Sequence, residues 1–437
     1  MSDIINYIIQ FLLGENLSSE VIAQVGYTSD QNEFSKYKLV IRPSSFFSQE
    51  VYGTKASLPN LPLQIWEEAP ILFGSPIVEQ VENTIILHAD LIASTYFLIS
   101  RYEEMVQADK RDVHGRFPGK ESLPYRAGFI DSPLVDEYGK LLRALVRETG
   151  CDIPELPKQI RKVYLTHDID QLSHYRNFRG FMGGLLRGIH RPKEGNKAIK
   201  SYFGGLKYDP WYTTPWLFKL DNSVRQKLGP DRCEPIVFIK IGGGIHKEDK
   251  PFITNHIQDF QTLIKLCKKK NITFGLHTSY ESGIHPNKIA GEKKQLERVS
   301  KKSIFYNRNH FLNSREPQDM QALIEAGITD DFTIGYADIS GFRLATCRPV
   351  KWINPTTKEL TTLILHPLTI MDGSLSDKRY MYLNAHDAYE YCIRLIDMVE
   401  NWNGELVLLW HNTSVEDNPQ SYHRNLYSEI IKYLKKK

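Results

Sequence analysis

Val163-Tyr164-Leu165-Thr166-His167-Asp168-Ile169-Asp170 runs from apolar residues into a histidine and two acids, and a loop-like segment follows. In an α/β protein a strand delivers polar groups in this way, to a site at its C-terminal edge. Asp168 and Asp170 lie two apart, so on an extended chain they face the same way. Two carboxylates on one face repel unless a cation sits between them or one holds a proton. A metal-dependent hydrolase needs that arrangement: one acid to bind the cation, one to take a proton from water. A strand end with solvated acids is the simpler alternative.

Outward from this octamer the chain keeps an alternating rhythm. Strand-like runs recur at Val163–Leu165, Ile236–Ile241, Thr273–Leu276, Thr333–Tyr336, Thr361–Leu365 and Glu405–Trp410. Helical patterns separate several of them, at Phe252–Lys269, Gly291–Ser300 and Pro317–Ala326. Such alternation predicts a parallel α/β barrel or a doubly wound sheet. Polar groups at several strand ends favour the barrel.

Upstream the pattern differs. Ile4, Ile5, Ile8, Ile9 and Leu12 recur at helical spacing. Short strand-like pieces follow at Lys38–Arg42, Ile71–Phe73 and Thr84–His88. Asp90–Val106 reads as a helix capped by Asp90, and Pro133–Thr149 as a second. Pro154 and Pro157 mark a linker. The expected organisation is a smaller N-terminal α+β domain over 1–157 and a barrel over 158–437. The charged stretches Arg101-Tyr-Glu-Glu104 and Asp109–Pro118 read as solvated faces.

Composition sets the class. The chain has 437 residues, enough for two domains, with 41% hydrophobic and 24% charged residues. A net charge of +3 is too small to imply nucleic acid by itself. Cys151, Cys233, Cys267, Cys347 and Cys392 are scattered without a CxxC pair, which argues against a disulfide scaffold or a zinc finger. Met1–Gly14 lacks a basic n-region and a small-residue cleavage site, so it reads as an amphipathic helix rather than a signal peptide. No run reaches membrane-span length. The expectation is a soluble, cytoplasmic protein.

One insertion stands out. From His174 to Trp216, Arg176, Arg179, Arg187, Arg191, Lys193, Lys197, Lys200 and Lys207 are interleaved with aromatic residues such as Phe178, Phe181, Phe203 and Trp211. A basic, aromatic loop beside a site suits an anionic glycan or an anionic lipid surface. A surface excursion packed on the barrel is the plain alternative.

Candidate groups occur at successive strand ends: Asp168 and Asp170, then His277 to Glu281, then Asp338 and Gly341-Phe-Arg343, then His366 and Asp372, then His411. Thr166-His-Asp-Ile-Asp170, Leu276-His-Thr-Ser-Tyr280, Gly341-Phe-Arg343 and Leu409-Trp-His411 resemble the ordered motifs of the polysaccharide deacetylase (NodB-homology) superfamily. The likeness is closer to a bacterial branch with a Thr-His-Asp-Val-Asp signature and an N-terminal domain of unknown function, which Arg101-Tyr-Glu-Glu104 also resembles. That resemblance implies a distorted (β/α)7 barrel, a divalent metal such as Zn2+, and hydrolysis of N-acetyl groups on a carbohydrate substrate.

By the same resemblance Asp168 is the general base, Asp170 and His277 bind the metal, Arg343 orients the base, and His411 protonates the leaving amine. The residue types suit these roles. A metal polarises a carbonyl and acidifies water, an arginine beside a carboxylate favours its ionised form, and a histidine can protonate an amine. The chain also departs from the pattern. Glu281 stands where the second metal histidine is usual, four residues after the first, leaving Glu281, His310 in Asn307-Arg-Asn-His-Phe311, and more weakly His285 as third ligands. Ile169 separates the two acids, so the roles of Asp168 and Asp170 are exchangeable. Gly242-Gly-Gly244 lacks the Lys-Ser/Thr of a phosphate loop. Another non-peptide C–N hydrolase on the same barrel, or a silent glycan-binding protein, remains open.

Overall fold

The computed structural model describes residues 1–14, 17–250, 257–315 and 317–437. Its N-terminal part contains β1 (Val25–Tyr27), β2 (Leu39–Ile41), β3 (Gln64–Trp66), β4 (Ala69–Ile71), β5 (Gly74–Val81) and β6 (Thr84–Ala89). They form a four-stranded sheet of order β1-β2-β6-β5 and the β3–β4 pair. The helix Ser2–Leu13 buries Ile4, Ile8, Ile9 and Leu12 and packs against the helix Leu134–Glu148. The spacing of those residues is what makes it amphipathic.

Asp90 caps its helix as expected, accepting the Ala93 N–H at 2.9 Å. The helix does not run to Val106, however. It spans Leu91–Ile99, Arg101 takes a left-handed φ of 58°, and a second helix covers Tyr102–Val106. The break turns the Arg101 guanidinium onto Glu104 Oε2 at 2.6 Å and onto Ser314 at 3.1 Å.

From residue 162 the chain builds a nine-stranded sheet from β7 (Lys162–Ile169), β8 (Cys233–Ile239), β9 (Thr273–Thr278), β10 (Tyr306–Asn309), β11 (Asp330–Asp331), β12 (Val350–Asn354), β13 (Glu359–Leu365), β14 (Ile370–Met371) and β15 (Glu405–Leu409). The order is β12-β13-β11-β10-β9-β8-β7-β15-β14, with only the β12–β13 pairing antiparallel. Two expectations need correction. Thr333–Tyr336 is not a strand, because the Asp331 carboxylate accepts both the Thr333 N–H (2.9 Å) and its hydroxyl (2.7 Å) and turns the chain. The polar strand β10, which the sequence reading did not mark, lies in the middle of the sheet. The helix expected from Phe252 is described from Ile257 to Lys270, and 252–256 fall outside the described residues.

The sheet is curled. His366, just after β13, meets Glu405 of β15 at 2.8 Å although six strand spacings separate the two strands. In a flat sheet those spacings would put them on the order of 29 Å apart. Tyr164, Phe238, Phe332, Leu368 and Val407 fill the inner face, an apolar plug beneath the strand ends.

The N-terminal part is joined to this sheet by buried ion pairs as well as by a continuous apolar core. Glu104 binds Arg343 through Oε1 (3.0 Å) and Oε2 (2.7 Å). Asp136 binds Arg348 at 2.5 Å and the Thr346 hydroxyl at 2.9 Å. Among the described residues no helix is long and apolar enough to cross a membrane.

Candidate metal centre

β7 alternates as its period of two requires. Tyr164 joins the inner-face cluster, and Thr166 and Asp168 reach Arg308 of β10 across it. His167 faces outward and is used up there, with Nε2 3.0 Å from Asp221 and Nδ1 2.8 Å from the Trp410 carbonyl. Asp170, one residue past the strand end, returns to the inner side.

Both acids meet His277 of β9. Its Nε2 lies 3.1 Å from Asp170 Oδ1 and 3.6 Å from Asp168 Oδ2. His277 Nδ1 donates to the Arg308 carbonyl at 2.8 Å, which leaves Nε2 as the nitrogen with the free lone pair. His310 follows β10 and brings Nε2 to 3.5 Å from the same Asp170 oxygen. The ligand atoms of Asp170, His277 and His310 all fall within 4.8 Å of one another. Donors about 2.0–2.1 Å from a tetrahedral zinc ion stand roughly 3.3 Å apart, so these three fit one ion. Asp170 Oδ1 and His277 Nε2 are buried atoms without a hydrogen-bond partner, a state that is costly unless something occupies the space between them.

Around this trio stand supporting carboxylates. His310 Nδ1 is 3.6 Å from Asp249, which also accepts the backbone N–H groups of Tyr280 (2.8 Å) and Glu281 (3.0 Å). A carboxylate behind a histidine is the usual way a metal site orients its imidazole. Gly244 belongs to the same loop. A Cβ there would fall 2.2 Å from Glu281, and its N–H points to Asp249 at 3.3 Å. The glycine run therefore serves close packing and not a phosphate.

The Glu281 expectation is corrected. His277 lies in a strand and Glu281 in a helix that begins at Tyr280, so the four-residue spacing does not put them on one face. Glu281 turns instead to Lys288 and to His246 at 3.4 Å. His285 is also outside the trio, with its Nε2 3.8 Å from Glu281. The Arg343 expectation is corrected too, because its guanidinium is spent on Glu104 and the Gly335 carbonyl. Arg308 occupies the expected place and donates from Nη1 to Asp168 Oδ1 at 3.0 Å.

His411, beyond β15, donates from Nδ1 to Asp372 at 2.7 Å and keeps Nε2 toward Asp170 Oδ2, 3.9 Å away. Burial alone would depress its pKa, but the Asp372 carboxylate outweighs that and pushes the imidazolium up to about 10. The Asp170 carboxyl is held well below the usual range: burial opposes this, and His310 and His277 prevail.

Asp168, Asp170, His277, His310 and His411 line one pocket of about 160 Å³ together with Tyr380 and Arg116. Arg116 comes from the N-terminal part. It is fixed by Asp112 (2.8 Å), the Tyr380 hydroxyl (3.1 Å) and the Phe311 carbonyl (2.9 Å). The last of these contacts holds a strained turn, because Phe311 and Leu312, directly after His310, have φ of 62° and 53°.

Residues 2–150 match the family described as a family of unknown function, DUF7033. No curated protein matches the chain. A solved structure described as a "putative polysaccharide deacetylase from Mycobacterium smegmatis" is similar at 12% identity and a TM-score of 0.42, over 65% of this chain and 86% of that one.

Of the residues marked from the sequence, the structure brings together Asp168, Asp170, His277, His310 and His411. Sequence reading missed Arg308, Asp249 and Arg116 as members of the site. Arg308 sits two residues before His310 in a motif already marked. Asp249 and Arg116 lie in charged stretches that carry no periodic signal.

Proposed function

We propose that this protein is a metal-dependent hydrolase that removes N-acetyl groups from a carbohydrate, in the building or remodelling of a surface polysaccharide. The observation that carries the reading is the trio Asp170, His277 and His310, with the facing Asp170 Oδ1 and His277 Nε2 unpartnered and with Asp168 and His411 beside it. The curled sheet suits a distorted (β/α)7-type barrel with a gap between β12 and β14. Residues 158–437 form that catalytic unit, and 1–157 an accessory domain joined through Pro154–Pro157. The free thiols suit a cytoplasmic location.

Two imidazoles and one carboxylate are the donor set of a catalytic zinc site with a position left for water or substrate. Bound there, Zn2+ supplies polarisation of an acetyl carbonyl and acidification of water. Asp168, oriented by Arg308 on one oxygen, offers the other to take the proton of the attacking water. His411 has Nδ1 committed to Asp372, so Nε2 is the atom that delivers a proton to the departing amine. Arg116 and Tyr380 form the wall against which the sugar is positioned.

The test combines metal analysis with acetate release from N-acetylated sugars and their oligomers. The expected result is one divalent ion per chain and acetate released in step with free amine. A metal-replete protein that frees no acetate from any of them would move the assignment to another C–N bond. A chain that binds no divalent ion would remove the hydrolase reading.

A further inference from the structure

We infer that the helical hairpin Phe178–Gly204 is a docking surface for an anionic lipid membrane. The hairpin pairs the helix Phe178–Gly188 with the helix Pro192–Gly204. They close on each other through small residues. A Cβ on Gly184 would fall 2.5 Å from that of Ala198, and Gly188 faces Gly195 just as tightly. The large apolar residues are therefore mostly left over. Phe178, Met182, Leu186 and Ile189 recur at i, i+4, i+8 and i+11, one stripe of the first helix. Phe178 is 70%, Leu186 62% and Ile189 72% exposed. On the second helix Ile199 and Phe203 continue the apolar surface, with Phe203 edge-on to Phe181 at 5.6 Å. A patch of this kind on a folded chain marks an interaction surface.

The charge beside the stripe selects the occupant. Lys193, Lys197 and Lys200 line the second helix and are exposed, as is Arg179 on the first. Glu194 is the sole acid between 176 and 207, and it is taken by Arg187 (3.1 Å) and Arg191 (3.5 Å). Apolar side chains flanked by basic ones whose stems reach past them match the acyl and headgroup layers of an anionic bilayer. A protein partner of equal apolarity would leave these lysines without counter-charge, and a soluble polyanion would leave Leu186, Ile189 and Phe203 in water.

The hairpin is firmly seated. Asp209 accepts the backbone N–H groups of His174 (2.8 Å), Tyr175 (3.0 Å) and Trp211 (3.0 Å). The Asn412 side chain binds the carbonyls of Gln171 and Trp211, both at 3.0 Å. Asn412 is the neighbour of His411, so the docking surface is rooted beside the pocket, which is set to work on a substrate held at the lipid surface.

The full-length protein is sedimented with vesicles of phosphatidylcholine alone, and with vesicles in which roughly one third is replaced by phosphatidylglycerol. Binding should appear on the anionic vesicles and fall as salt is raised. Each lysine near such a surface strengthens partition roughly fivefold, so Lys193→Gln/Lys197→Gln/Lys200→Gln should weaken it on the order of a hundredfold. Leu186→Ser/Ile189→Ser/Phe203→Ser should weaken it at least roughly tenfold, with metal content unchanged as proof of folding. Three results overturn the inference: no partition of the unmodified protein, partition that survives the apolar substitutions as it would for a purely ionic contact, or self-association in solution that the same serine substitutions abolish.

Discussion

Two histidine–carboxylate clusters occupy the inner side of the same curled sheet, and they differ in what is left over. Beside the first residues of β11 and β15, His366 gives Nδ1 to Glu405 (2.8 Å) and Nε2 to Asp330 (2.9 Å), and its ring stacks on Phe332 at 4.4 Å. At the strand ends, His277 and Asp170 each keep a buried atom with no partner. Both clusters are buried and rich in acid. Residue type and burial are therefore common to the two clusters; what differs between them is unused hydrogen-bonding capacity.

The contrast predicts opposite outcomes for equivalent cuts. The largest effect belongs to His277→Ala. Metal content should drop to background, and losing several kcal/mol of carbonyl polarisation should cost turnover at least roughly a thousandfold. Next comes His411→Ala, which should fold, keep its metal and lose roughly 10²–10⁴-fold in acetate release. Normal turnover in that variant would dismiss His411 from the chemistry. Asp249→Asn should weaken metal affinity about 10–100-fold, as removal of a carboxylate behind a ligating histidine does, and titration with a chelator measures it.

His366→Ala reverses the pattern. Breaking a buried pair should cost about 3–5 kcal/mol in denaturant unfolding while turnover per folded molecule stays unchanged. The cluster also sets a pH dependence. Burial lowers the His366 pKa, but Asp330 and Glu405 outweigh this and raise it to about 9. A folded value above the unfolded one of about 6.5 means that this contribution is complete below about pH 6.5 and is lost as pH rises through about 9. Unfolding curves across that window should show a fall on the order of 3 kcal/mol in the unmodified chain, absent in His366→Ala. The smallest effect is that of Glu281→Gln, for which metal content should match the unmodified protein. A loss there would return Glu281 to the ligand set.

How much was legible follows from the same chemistry. β7 announced itself because three apolar residues precede the acids, and His277 and His411 follow similar runs. β10 did not, because Tyr306-Asn-Arg-Asn309 is buried through hydrogen bonds and not through apolar side chains. Asn307 reaches Asp331 at 2.8 Å, and Arg308 reaches the Phe332 carbonyl at 3.0 Å. Periodicity has no sign for such a strand. Arg343 was assigned from its motif alone. Only three-dimensional structure shows that Glu104, far away in sequence, claims it. Charged runs near Arg101 and Arg116 looked like solvent-facing surface for the same reason: the partner that buries each lies on another element.

Arg308 ties the Thr166 hydroxyl at 2.7 Å and Asp168 at 3.0 Å to the Phe332 carbonyl, and lies over the Phe238 ring at 4.5 Å. One guanidinium of β10 thus fastens β7, β8 and the segment after β11 while it holds the Asp168 carboxylate. Relatives of this chain without the proposed activity would still be under pressure to keep Arg308, since replacing it opens the interior. His310, whose Nδ1 has no hydrogen-bond partner, carries no comparable mechanical duty and would be free to drift. Among relatives, the arginine would then trace ancestry, and His310 would mark which lineages keep the trio.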